Sequence, residues 1–304
     1  MNFLTREQKG VAYVLISGLC YGLIGYFGIK IMQENFSAYN MLFWRFVVAS
    51  IIMFALCFWQ MKDQKLLQNH FGEMVKVFFN SAIFHGSASA FYFVSSVKIG
   101  TGLAMIMFFA YPLVVVILNR IFYKTKITAS YFFSIIAILV GITLLGDLQG
   151  FEINFYGIIF GTLAAIFFGC YVFSVQQSKL PPLTMAFVVC LGCLGASALF
   201  ALVDGSLVIP QNSKPYFDIV AMGLISTALP ILFFLQSLKY INSTKASLLG
   251  VSEPLAVLYF GWLLLDEKIS ALQLLGSLII LVGGVLALIE KNKKSAKNQA
   301  VDIV

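Results

Sequence analysis

Residues 98–144 read KIGTGLAMIMFFAYPLVVVILNRIFYKTKITASYFFSIIAILVGITL, and residues 240–286 read YINSTKASLLGVSEPLAVLYFGWLLLDEKISALQLLGSLIILVGGVL. One constant shift of 142 positions lays the first on the second. It brings Ile99 onto Ile241, Ala104 onto Ala246, Pro112 onto Pro254, Leu113 onto Leu255, Lys126 onto Lys268 and Ile127 onto Ile269. Farther on, Leu139-Val140-Gly141 meets Leu281-Val282-Gly283. Both stretches are almost wholly apolar, with a proline inside one hydrophobic run and glycine in the next. A duplicated set of apolar helices, each set containing a broken helix, is the pattern expected of a secondary transporter.

The rest of the chain has the same character. It is 60% hydrophobic and 11% charged over 304 residues, with a mean hydropathy of +0.93. Soluble domains carry about 25% charged residues, so a water-soluble globule is excluded. The formal charge of +7 falls in short clusters between apolar runs. With no basic stripe and no stacking platform, a nucleic-acid partner is excluded as well. Cys20, Cys57, Cys170, Cys190 and Cys193 all lie within apolar runs. Cys190-Leu-Gly-Cys193 has redox spacing but lacks the strand–helix setting, so these residues are expected to be small packing groups. His70 and His85 are the only histidines, which leaves no metal-ligand set and calls for no cofactor.

A membrane helix needs roughly 20 mostly apolar residues. That criterion gives ten spans, at 10–30, 40–60, 77–97, 101–121, 127–146, 155–176, 183–203, 216–238, 244–264 and 270–289. The first is expected to be a retained helix, because no small-residue cleavage site follows it. The longest connections, near 61–76 and 204–215, are polar. Two five-helix units follow, 10–146 and 155–289, with a basic tail at 290–304. The excess of Lys and Arg sets the orientation. With the N-terminus inside, Arg6, Lys9, Lys62, Lys65, Lys76, Arg120, Lys124, Lys126, Lys179, Lys239, Lys245, Lys291, Lys293, Lys294 and Lys297 are cytoplasmic. Lys30, Lys98, Lys214 and Lys268 are outside, and Arg45 is left within a span. Five helices per unit is odd, so the second copy enters from the opposite face and the repeats are inverted.

The stretch Ser252-Glu253-Pro254-Leu255, then Gly261-Trp262-Leu263-Leu264-Leu265-Asp266-Glu267, Gly276 and Gly283-Gly284, resembles the C-terminal half of the EamA family. Gly22, Arg45 and Tyr111-Pro112-Leu113 carry the likeness into the first half. The family belongs to the drug/metabolite transporter superfamily. The resemblance covers about residues 10–289 and implies an all-α membrane protein of ten transmembrane helices, with a central cavity and alternating access. Two departures make the halves chemically unequal. Tyr111 stands where the second half has Glu253, and Lys124 and Lys126 replace the acidic residue that often closes the fourth span.

Glu253 is the leading site candidate. It lies about nine residues into its span, roughly 14 Å along a helix rising 1.5 Å per residue, where a carboxylate faces a cavity or a partner. Pro254 has no N–H, so the carbonyl of Gly250 is expected to lack its helical donor. Carboxylate and carbonyl together suit a cation, an amine or a proton; alternatively, a protonated Glu253 merely fixes the kink. His85 is second. Ser81, His85, Ser89, Tyr92 and Ser96 share one helix face, which lipid cannot satisfy, and histidine can relay a proton or simply pack. Arg45 suits a substrate carboxylate, a snorkel toward the outer headgroups, or a tie between helices. Tyr111 and Gln236 are weaker candidates for substrate contact, and Gln176 and Tyr21 weaker still. Pro112, Pro254 and Gly250 mark the helix breaks that would gate the path. Gly18 and Gly22 have small-xxx-small spacing, which suits close helix packing.

The sequence therefore points to a secondary active transporter of a small organic metabolite, with no enzymatic role. One acid, one histidine and one arginine suit an amino acid or related zwitterion. Aromatic walls suit a nucleoside-like metabolite such as S-adenosylmethionine, or a drug, equally well. An integral-membrane transferase would need a carboxylate cluster or a His-rich face, which this chain lacks. The expected setting is a bacterial inner (cytoplasmic) membrane, with both termini cytoplasmic and the basic tail held against anionic lipid. The expected partners are substrate and lipid, in a monomer or homodimer.

Overall fold

The computed structural model describes residues 5–34, 36–58, 64–145, 154–209 and 214–289, and these residues form helices joined by turns. The basic tail expected at 290–304 lies outside them. In chain order the helices are α1 (Arg6–Gly22), α2 (Ile24–Met32), α3 (Ala38–Phe58), α4 (Gln64–Asn80), α5 (Ser87–Phe108), α6 (Tyr111–Tyr123) and α7 (Ala129–Leu145). Then come α8 (Phe155–Val175), α9 (Pro182–Val203), α10 (Lys214–Gly223), α11 (Leu229–Ser237), α12 (Ser243–Leu249), α13 (Ser252–Leu265) and α14 (Ala271–Ile289). Among the described residues, eight helical runs are long and apolar enough to cross a membrane, and Ala129–Leu145 is apolar but shorter.

Local signals explain the helix ends. Thr5 caps α1 reciprocally with Gln8, each side chain bonding the other's backbone N–H at 3.2 and 2.8 Å, which satisfies donors that no helical carbonyl reaches. Asn154 and Asn242 cap α8 and α12 by accepting from Gly157 and Lys245. Lys124 and Asp266, at φ +51° and +54°, close α6 and α13 in the left-handed region. The shift that aligns the two sequence copies carries one of these onto the other.

Three features differ from the sequence reading. The polar stretch near 61–76 was expected to be a connection, but α4 starts at Gln64; its polar residues argue against membrane depth, not against a helix. No loop divides the spans expected at 77–97 and 101–121. The helix passes through a single non-helical residue, Gly100, at φ 79° and ψ 155°. That conformation is open to glycine and strained for other residues. Finally, Ser81–Gly86 and Leu224–Ala228 are π-helical turns, at positions the shift of 142 also relates. Such turns insert a residue without ending the helix and collect at functional sites. Hydropathy cannot detect them.

The helices pack as reciprocal pairs. On the α7–α14 seam, a Cβ on Gly141 would meet Ile280 at 2.6 Å, and one on Gly283 would meet Ile138 at 2.9 Å. Ser134 donates to the Gly283 carbonyl at 2.6 Å. Elsewhere α3 lies along α9, α1 lies against α11 and α13, and α8 lies against α5 and α6. The apolar core runs between these pairs and surrounds the middle of α1, α6, α8 and α11.

Candidate functional site

α12 ends at Leu249 and α13 begins at Ser252, so the chain breaks at Gly250-Val251, just before Glu253-Pro254. Pro254 falls in the first turn of the new helix, where its missing N–H costs little. The Gly250 carbonyl is not left bare as expected. The Glu253 N–H reaches it at 3.0 Å in a tighter turn. The break's outside partner is instead the Ser247 carbonyl, to which the Tyr111 hydroxyl donates at 3.2 Å. Tyr111 opens α6, followed by Pro112, just after the equivalent break at Phe109-Ala110. The two broken helices therefore meet. A Cβ at 250 would lie 2.5 Å from the Tyr111 hydroxyl oxygen, so any larger residue there would displace that hydroxyl.

A Tyr111→Phe variant should lower the thermal unfolding midpoint by a few degrees, since a buried hydrogen bond contributes about 0.5–1.5 kcal/mol. An unchanged midpoint in detergent would mean the Ser247 carbonyl has a substitute partner.

Glu253 faces a small cavity with Ser17 and Tyr21 of α1, Tyr111 of α6, and Phe168 and Tyr171 of α8. Its volume of about 20 Å³ has room for roughly one water molecule. The aromatic rings interlock: Tyr111 meets Phe168 at 4.8 Å edge-on, and His85 lies 4.4 Å from Tyr171 and 5.3 Å from Phe168. His85 sits within the first π turn and is 5% exposed.

Arg45 is 5% exposed, with its guanidinium 4.7 Å from the Phe46 ring. It does not snorkel. It lies within electrostatic reach of Tyr21, Cys190, Cys193 and Glu253, yet among the described residues no ion pair joins it to Glu253. Arg45 Nε, His85 Nδ1, Ser50 Oγ, Ser226 Oγ and Ser252 Oγ are buried without a hydrogen-bond partner among the described residues. Each such group costs about 1–3 kcal/mol, which is tolerable where a ligand or water is to be bound.

Of the other candidates, His85 and Arg45 stand outside the cavity lining, behind its aromatic wall in the case of His85, and so do Ser89, Tyr92 and Gln236. The polar stripe on the helix of His85 is partly self-satisfied, since Ser81 and Ser96 bond back to the carbonyls of Val77 and Tyr92. Cys190 and Cys193 are free, fully buried thiols. Sequence reasoning missed Ser17, Phe168 and Tyr171 as cavity residues. Ser17 was within reach, because it shares the α1 face of Gly18 and Tyr21. It donates to the Pro230 carbonyl at 2.8 Å.

A multi-pass bundle of apolar helices packed around a half-buried carboxylate is the architecture of a membrane transporter. The chain belongs to the EamA-like transporter family, which matches residues 8–146 and 155–289. It is 23% identical over 302 residues to the uncharacterized transporter YxxF of Bacillus subtilis (strain 168), covering 96% of this chain and 94% of that one. The putative permease-like protein YdzE of the same organism is 34% identical over 73 residues, 24% of this chain and 94% of YdzE. A solved crystal structure superposes with a TM-score of 0.78 over 92% of this chain and 96% of its own, at 14% identity. At that identity the likeness is one of fold.

Proposed function

We propose that this chain is a proton-coupled secondary transporter carrying a small zwitterion, an amino acid or a close relative, across a bacterial inner membrane by alternating access. The observation that carries this reading is Glu253, which lines a small cavity where two broken helices meet. An acid and a base that do not pair with each other, Glu253 and Arg45, suit the ammonium and carboxylate ends of one substrate. His85, with an unpartnered ring nitrogen, stands on the proton path. A second reading rests on the aromatic walls: Tyr21, Tyr111, Phe168 and Tyr171 would stack on a nucleoside-like metabolite such as S-adenosylmethionine, or on a drug.

On this reading the chain crosses the membrane ten times. Gly100 divides the run His70–Tyr123 in two, and Ala129–Leu145 serves as the fifth. The two units, 10–146 and 155–289, are taken as inverted repeats with both termini cytoplasmic. The paired π turns, paired left-handed caps and reciprocal α7–α14 contacts support this, as does a family match that falls twice along the chain.

The test is a thermal-shift screen of purified protein against amino acids, nucleosides, S-adenosylmethionine and cationic drugs. A ligand at 100 times its dissociation constant should stabilise by about 2.7 kcal/mol. An amino-acid hit supports the zwitterion reading. A hit confined to nucleosides or aromatic cations replaces it with the second.

A further inference from the structure

The seven residues of α12, Ser243–Leu249, are all buried. In the first-half segment equivalent to them, 101–107, only Ala104 is buried. Polar groups on α1, α6 and α14, and Gln176 just beyond α8, hold α12 in place. Asn119 of α6 donates to Ser243 Oγ at 2.9 Å and to Thr244 Oγ1 at 3.0 Å. Gln176, just beyond α8, donates to Asn119 Oδ1 at 3.0 Å and accepts from the Ser243 N–H at 3.2 Å. Lys245, 1% exposed, pairs with Glu7 of α1 and donates to the Leu288 carbonyl of α14 at 3.0 Å. α6 and α8 lie on opposite sides of the chain's midpoint, so the cluster ties the two units together across one end of the molecule.

We propose that this cluster is the cytoplasmic latch of the transport cycle, with α12 as the moving gate: the resting protein is sealed on the inside by hydrogen bonds and one ion pair. The proposal rests on the transporter reading and on its orientation. Among the described residues, the counterparts of the α12 contacts differ in residue type, although Gln176 corresponds to another polar residue, Glu34. The shift of 142 gives Gly261 for Asn119, Thr101 for Ser243 and Leu103 for Lys245. The two gates therefore differ in composition. The inner one opens by exchanging the α12 contacts for water, while the opposite end is tied through α3, where Asn40 and Trp44 bond the Val208 backbone at 2.9–3.3 Å. Releasing α12 also moves Ser247, whose carbonyl is bonded to Tyr111 in the cavity wall, so latch and site are mechanically linked.

Hydrogen–deuterium exchange on the full-length protein in nanodiscs tests this without any substrate. In the double variant Asn119→Ala/Gln176→Ala, amides of 243–249 should exchange about tenfold faster or more, since the side-chain hydrogen bonds that hold α12 are lost. Amides of 101–107 should be unchanged. If that variant does not fold, Glu7→Gln takes its place, because Glu7 is 45% exposed at the rim and its change disturbs no core packing. Faster exchange confined to 243–249 supports the latch. Unchanged exchange in the folded variants, or an equal rise at 101–107, overturns it. Because the readout needs no transport, a latch that fails leaves the transporter reading intact. A latch that responds while the ligand screen finds nothing removes only the substrate assignment.

Discussion

Replacing Glu253 with glutamine is expected to abolish proton-driven flux in reconstituted vesicles while leaving the protein folded. The substitution keeps side-chain shape and hydrogen-bonding capacity but removes the only carboxylate in the cavity lining. If the substrate ammonium or a proton is held there, the loss is that of a buried charge contact, about 2–5 kcal/mol, or roughly 30-fold and more in rate at 1.36 kcal/mol per tenfold. Uptake under an imposed pH gradient should fall by that factor, and a screen hit should lose its thermal shift. Wild-type flux in the variant would remove Glu253 from both coupling and recognition. Persistent binding with lost pH dependence would assign it to the proton alone.

The second large effect concerns packing. Gly18→Val should destabilise the fold sharply, because a Cβ at this position would fall on Ser252 Oγ and crowd the Glu253 N–H. α1 rests directly on the start of α13, and neither neighbour can yield without moving the break that holds Glu253. Overpacking of this kind costs about 1–3 kcal/mol, and each kcal/mol lowers the midpoint of a large domain by about 2–4 °C. Heating the variant in detergent reads the shift directly. Gly25→Val is the control, since a Cβ there meets no neighbour. Equal losses in both would mean that helix propensity, not the α1–α13 contact, is responsible.

Much of this was legible in the sequence, and the reason is physical. Apolar runs of membrane length and prolines that cannot continue a helix are local signals. They located the apolar helices to within a few residues and marked both breaks. Glu253 was legible because a carboxylate in an apolar run is costly wherever it lies. What the sequence could not supply was pairing across the chain. Lys245 was read as a loop-edge cation that helps set orientation, yet it is buried against Glu7, 238 residues away. Asn119 attracted no attention beside Arg120, although its amide bonds both Ser243 and Thr244. Phe168 and Tyr171 were two aromatics among many, with nothing to say which would face Glu253. The π turns left no compositional trace, because an added residue in an apolar helix changes register and not hydropathy.

Those turns bear on the history of the molecule. On the two-repeat reading, Ser81–Gly86 and Leu224–Ala228 are one feature seen twice. Two separate insertions at the same depth of two already distinct copies would be a coincidence. A single insertion in a half-length ancestor, inherited by both descendants, needs none. The widened turn would then predate the joining of the halves, and His85 and Thr227 record how the two sites diverged afterwards.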